Sequence, residues 1–293
     1  MKTMLLTIIL LLLTSTSLYA AEQSQEQYWE AVLKKDYKTP ELITLKTNDT
    51  GFAALYRPSS SNKPQGAAII LHPAGKHPDW PVVISNLRFT LPKFGWTTLS
   101  IQLPVLDNNE TLDQYAPLFK KSPARVQAAI NYLQSKGNNN IVLIGYELGA
   151  TMAADAIATL KINNVNALVG ISMLSIDNAE PRMNIANSLE RISLPILDIY
   201  ASQDLRTVLD YAESRSMAVK KSANLAFSTQ SLSTYKQSAQ AQTNISSATG
   251  YISYRRFVIT GANHDYSGFE DQMTRRILGW LKKHAGGIAA QTR

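Results

Sequence analysis

A glutamate stands between two closely spaced glycines in the run Gly145-Tyr146-Glu147-Leu148-Gly149-Ala150. That spacing suits a sharp turn from a strand into a helix, with the middle side chain presented at the tip; serine is the usual occupant when such a turn supplies a nucleophile. A carboxylate at the tip needs no histidine to activate it. Glutamate is one methylene longer than aspartate, and reactive placement is sensitive to shifts of about 1 Å. The same acid could instead face the positive N-terminal end of the following helix, or rest in an ion pair with His264. Glu147 therefore has three readings: nucleophile or base, dipole partner, ion-pair partner. Asp204, in Tyr200-Ala201-Ser202-Gln203-Asp204, could orient and stabilise a histidine, and His264, in Gly261-Ala262-Asn263-His264-Asp265, could serve as a general base. Asp198 and Asp265 compete with Asp204 for its role. The loop His72-Pro73-Ala74-Gly75-Lys76-His77-Pro78-Asp79-Trp80 contains small residues whose backbone N–H groups could face an oxyanion.

These groups need elements to hold them. Strands are predicted at Glu41–Thr47, Gly51–Tyr56, Gly66–His72, Trp96–Leu103, Asn140–Ile144, Asn166–Met173, Pro195–Tyr200 and Ile252–Ile259. Helices are predicted at Val82–Leu91, Ser122–Gly137, Glu147–Leu160, Asn184–Ile192, Val208–Ser222 and Phe269–Ala285. The short apolar strands, such as GAAIILH and NIVLI, read as buried on both faces. Asp107–Phe119 reads as a polar loop with aromatic anchors, and Ala226–Gly250, rich in Ser, Thr, Gln and Ala, as a loop, flap or helix extension. Strand–helix alternation implies an α/β fold: a mostly parallel central sheet with helices on both faces, and an antiparallel edge made by the first strand pair. Catalytic groups in such sheets gather at the carboxyl ends of the strands, where the elbow, Asp204, His264 and the 72–80 loop all fall.

The order elbow, acid, histidine resembles that of the α/β-hydrolase superfamily, over nearly the whole chain after its first residues. Within it the chain resembles the bacterial family known as domain of unknown function 3530, on the segments His77-Pro78-Asp79-Trp80-Pro81, Gly95-Trp96 leading to Leu103-Pro104, and Arg276-Ile277-Leu278-Gly279-Trp280-Leu281. The resemblance implies an α/β-hydrolase-like fold with Asp204 as the orienting acid and His264 as the base. It implies an oxyanion hole from the N–H of Leu148 and one near Ala74 and Gly75, with Tyr146 beside the site. Glu147 departs from the serine pattern. The expected function is binding of a ligand or partner in the cell envelope without ordinary serine-hydrolase activity; the alternative is an atypical ester hydrolase using Glu147 with His264 and Asp204. The stretch from Met173 to Pro195 is too short for a large helical cap, which weakens epoxide and haloalkane substrates.

Composition narrows the classes. Lys2, the apolar run Met4–Leu13 and the small-residue stretch Thr14–Ala20 form the three-part pattern of an export signal, so a periplasmic or secreted location is expected. The run is short for a membrane span, which needs about 20 residues; an uncleaved anchor is the competing reading. Residues 1–20 are thus expected as signal peptide, 21–285 as one domain and 286–293 as a frayed tail. There is no cysteine, so neither disulfides nor a lipid-bearing cysteine enters. The formal charge of +7 would suit anionic surfaces, or describe an ordinary solvated surface. Nothing resembles a nucleic-acid motif. His72, His77 and Asp79 fall short of a metal-ligand pattern, so no metal or cofactor is expected. A small-molecule ligand or ester is the expected partner, with the oligomeric state open. Trp80 and Trp96 read as packing residues, and the triplets at Asn48, Asn109 and Asn244 as chance glycosylation matches.

Overall fold

The computed structural model describes residues 25–107, 110–160, 162, 164–177, 180–223 and 253–286. The expected signal peptide, the stretch 226–250 and residues 287–293 lie outside them. In chain order the elements are helix α1 (25–36), strands β1 (Leu42–Lys46), β2 (Gly51–Arg57) and β3 (Gly66–Leu71), helix α2 (Val83–Thr90), β4 (Trp96–Ile101), α3 (Ser122–Ser135), β5 (Ile141–Tyr146), α4 (Leu148–Leu160), β6 (Val165–Ile171), α5 (Ile185–Leu189), β7 (Ile196–Gln203), α6 (Arg206–Leu209), α7 (212–223), β8 (Tyr254–Asn263) and α8 (Glu270–His284).

All eight strands form one sheet in the order β1-β2-β4-β3-β5-β6-β7-β8. β1 with β2 and β2 with β4 pair antiparallel; every later neighbour is parallel. This is the expected parallel sheet with an antiparallel N-terminal edge. Alternation sorts the strand side chains into two cores. Ala67, Ile69 and Leu71 of β3 face one layer, where Val126, Ala129, Ile130 and Leu133 of α3 meet Ala153, Ala154 and Ile157 of α4. Ala68 and Ile70 face the other, with Val83, Ile84 and Leu87 of α2 and Met273, Ile277, Trp280 and Leu281 of α8. Burial on both faces is why these strands are continuously apolar.

Three elements differ from the sequence expectation. Helix α1 was not anticipated; it docks Leu33 against Ala53 and Leu55 of β2. The expected polar loop 107–119 contains a 3-10 helix, Leu112–Lys120, started by a capping box in which Thr111 and Gln114 satisfy each other's backbone N–H. The buried Tyr115, Leu118 and Phe119 hold it down. The expected helix 208–222 is two pieces. The break frees the Val208 carbonyl, which accepts a 2.8 Å hydrogen bond from Arg215, while Arg215 Nε reaches the buried Asp198 at 2.9 Å. A buried guanidinium needs those acceptors more than the helix needs its turn.

Candidate active site

The turn from β5 into α4 has the geometry its glycines suggested. Glu147 sits in the left-handed region at φ 55°, a conformation that costs a non-glycine residue on the order of 1–3 kcal/mol. Its N–H donates to the Ile171 carbonyl of β6 at 2.8 Å, and its carbonyl accepts from Ala150 at 3.0 Å. The turn is too tight for larger neighbours. A Cβ on Gly149 would lie 2.4 Å from the His72 carbonyl and 2.6 Å from that of Leu71; one on Gly145 would lie 2.4 Å from the Ala150 Cα.

At the next strand ends stand the acid and the histidine. Asp204 Oδ1 and His264 Nδ1 are 2.6 Å apart. Oδ1 also accepts the Leu205 N–H at 2.9 Å, and Oδ2 accepts the Ala201 N–H at 2.9 Å and the Ser172 hydroxyl at 2.6 Å. The Ser172 hydroxyl in turn meets the Tyr266 hydroxyl at 2.7 Å. Ser172 and Tyr266 are fully buried and both have positive φ, 47° and 61°. Burial works against the charge of Asp204, but the His264, Ser172 and backbone hydrogen bonds outweigh it and hold the carboxyl below its usual range. Burial likewise opposes a charged His264; the hydrogen bond and charge of Asp204, helped by Glu147 and Asp265, lift the imidazole above its ordinary value. Tyr146 donates its hydroxyl to the His264 carbonyl at 2.8 Å and lays its ring 5.5 Å from the imidazole.

The two competing acids face elsewhere. Asp198 is fully buried and held by Arg215 and by the Tyr254 hydroxyl at 2.8 Å. Asp265 is exposed and accepts the Ser267 N–H at 2.8 Å.

The oxyanion side is different. Here the Ala74 N–H acts electrostatically on the Glu147 carboxylate itself. Burial pushes that carboxyl above the ordinary range, against the pull of His264, the Ala74 N–H and Lys76. Leu148 opens α4, where helix amides have no partner within the helix. The Gly75 carbonyl accepts the Trp29 indole N–H of α1 at 2.9 Å. The space walled by Ala74, Leu103, Tyr115, Leu148 and Met152 leaves no room for a water-sized molecule. A cleft of about 460 Å³ opens farther along the same sheet edge, between α1, the β1–β2 turn and the start of α3.

The residues His72, His77 and Asp79 go three separate ways. His72 is buried, donates from Nδ1 to the Pro73 carbonyl at 2.8 Å and accepts the Leu103 N–H on Nε2 at 2.9 Å. Desolvation drives its pKa down to about 3, so it is a neutral fastener between two loops. His77 packs between Trp29 and Trp80, at 4.5 and 5.6 Å. Asp79 takes Arg88 of α2, whose guanidinium also reaches Glu41 and the Tyr37 hydroxyl. No group of three or more His, Cys, Asp or Glu suited to a metal occurs among the described residues. Trp96 is in the core, as expected.

Ser172, Tyr266 and Tyr115 were missed by sequence reading. Tyr266 lies two residues beyond His264 and Ser172 one residue past β6. Their positions at strand ends were a usable signal, but their types were not.

Solved structures with this architecture are α/β hydrolases. Est1E from Butyrivibrio proteoclasticus superposes with a TM-score of 0.58 at 13% identity, covering 83% of this chain and 98% of its own. An alpha-beta serine hydrolase homologue from Coxiella burnetii gives 0.56 at 15%, covering 84% and 99%. A cold-adapted esterase from an Arctic intertidal metagenomic library gives 0.59 at 11%, covering 85% and 97%. At such identities the likeness establishes the fold, and fold alone does not fix activity. None of the curated proteins matches the sequence. Sheet order, elbow and neighbours together define an α/β-hydrolase-like fold. The chain belongs to the family described as "Protein of unknown function (DUF3530)", whose pattern matches residues 4–123 and 118–253.

Proposed function

We propose that this is an exported α/β-hydrolase-fold protein that has given up serine-hydrolase chemistry and binds a ligand or partner in the cell envelope. One observation carries the loss of chemistry: at the tip of the elbow a carboxylate stands in place of a hydroxyl, where it feels the pull of the Ala74 N–H. In ester hydrolysis that kind of donor must be free for the oxygen that becomes negative in the transition state. Here the chain's own carboxylate competes for it, and the space walled by Ala74, Tyr115 and Leu148 leaves no room for a water-sized molecule. The Asp204–His264 pair keeps its geometry because it is embedded in a buried hydrogen-bond network that the fold needs whether or not a proton is transferred. The cleft of about 460 Å³ on the same sheet edge offers room for a ligand.

The test is hydrolysis of short- and medium-chain nitrophenyl esters by the wild type, Glu147→Gln, Glu147→Ser and His264→Ala. The proposal expects no wild-type turnover and its appearance in Glu147→Ser. Wild-type turnover that requires both Glu147 and His264 would replace it with the alternative, an ester hydrolase whose glutamate is nucleophile or base.

A further inference from the structure

The edge of the sheet opposite the elbow has a chemistry of its own. Asn140, just before β5, gathers four chain segments there. Its side-chain amide donates to the Gln65 carbonyl at 2.7 Å and to the Ala285 carbonyl beyond α8 at 2.6 Å, and its side-chain oxygen accepts from Asn166 at 2.7 Å. Gln65 in turn bonds the Gly95 carbonyl at 2.7 Å, and the Lys63 carbonyl packs against Gly95. The stretches 58–66, 91–96, 134–141 and 279–286 thus meet on one face. They contain Lys63, Lys93, Lys136, Lys282 and Lys283, all exposed, and not one aspartate or glutamate. None of these lysines forms an ion pair among the described residues. Beside Lys93, Phe94 projects with 55% of its surface exposed, and Phe89 is 36% exposed on the helix before it.

Helix dipoles account for Lys282 and Lys283 in the last turn of α8. They do not account for Lys63, nor for an exposed phenylalanine beside Lys93. Clustered lysines are drawn to the negative potential of a lipid surface, and a protruding aromatic ring gains by entering the headgroup boundary.

We propose that this face docks on the surface of an anionic phospholipid bilayer, with the lysines against headgroup phosphates and Phe94 inserted among them. The elbow and the cleft then point away from the membrane, open to whatever they bind. The docking is independent of whether the elbow is catalytic.

The purified full chain would be sedimented with vesicles of neutral phosphatidylcholine and with vesicles containing about one third phosphatidylglycerol, a fraction chosen to set a clear negative surface potential. The difference between the two isolates the charge-dependent part from any contribution of the apolar N-terminal run. Partitioning at least about tenfold stronger to the anionic vesicles is expected, largely lost in about 0.5 M salt, where the screening length is only a few ångströms. Lys282→Glu with Lys283→Glu should remove most of that preference, and Phe94→Ser should weaken it several-fold while leaving binding to soluble heparin unchanged. These substitutions are at the surface, and unchanged thermal unfolding checks the fold. Equal binding to both vesicle types would overturn the proposal. So would a preference that survives the double reversal, or one indifferent to Phe94 and matched by heparin, which would mean attraction to polyanions in general.

Discussion

At the ends of β7 and β8, Asp204 and His264 lie 2.6 Å apart with every oxygen of the acid engaged. At the end of β5, the tip of the elbow keeps its strained backbone but carries a glutamate, whose carboxylate feels His264 and the Ala74 N–H. The two halves of one site have met different demands. The acid–histidine half is tied to fully buried Ser172 and Tyr266, so altering it would strand polar groups in the interior. The elbow side chain is half-buried, and its carboxyl answers to burial, His264, the Ala74 N–H and Lys76. On the proposed reading, the elbow side chain can therefore change while the acid–histidine pair stays in place.

The comparison predicts its own tests. Glu147→Ser should have the largest effect. It empties the hole and places a hydroxyl at the elbow tip, so covalent labelling by a fluorophosphonate should rise at least about 10²-fold over wild type, the scale of one oxyanion-hole donor. Adding His264→Ala should abolish the gain. Labelling that stays at the wild-type level would mean that the acid–histidine half is no longer competent either.

Next in size is Gly149→Ala, which forces a Cβ within 2.4 Å of a backbone carbonyl that cannot move without shifting β3. It should cost about 3 kcal/mol or more, seen as a large fall in unfolding temperature. Gly279→Ala, with nothing near its Cβ and a helical backbone, should instead gain about 0.5–1 kcal/mol.

Ser172→Ala removes a donor from a buried carboxylate and should cost about 1–2 kcal/mol at neutral pH. The Asp204 carboxyl is held below its usual range, so its contribution to stability is present at neutral pH and lost as pH falls through the folded-state value. Without Ser172 that value rises, and the acid-unfolding limb should move to higher pH.

Glu147→Gln should have the smallest effect. The carboxyl is pushed above 4.5, so the folded state binds its proton more tightly than the unfolded chain does, and wild-type stability falls as pH rises through that window. The glutamine variant lacks this loss. It should match the wild type in acid and become the more stable of the two toward neutral pH. The gain should stay below about 1 kcal/mol, because the attraction of His264 and the Ala74 N–H is lost with the charge. Denaturant unfolding at several pH values would show it, and a variant less stable at neutral pH would mean that the ion pair with His264 dominates.

Much of this arrangement was readable from the residues. Continuous apolar runs gave the buried strands, and the glycine spacing gave the elbow, because both are local consequences of backbone geometry. Asp204 could be picked from Asp198, which lies inside a strand, whereas Asp265 follows a strand end as His264 does and is set aside by its exposure. What local pattern does not encode is which distant groups meet. Helix 25–36 lacked a reading because its meaning is a long-range contact: Trp29 bonding the Gly75 carbonyl and packing on His77. The histidine loop looked faintly like a ligand set, yet folding sends His72 to the Leu103 backbone and Asp79 to Arg88.

The sequence by itself determined the class of fold, the presence of a glutamate at the elbow and the order of acid and histidine after it, since periodicity and turn chemistry act over a few residues. Only the tertiary structure decided that the Glu147 carboxyl feels His264 and the Ala74 N–H, that Gly75 takes the Trp29 indole on its carbonyl, and that five scattered lysines share one face around Asn140. Those outcomes depend on partners brought together by the sheet from stretches as far apart as Asn140 and Ala285, and no property of either stretch alone contains them.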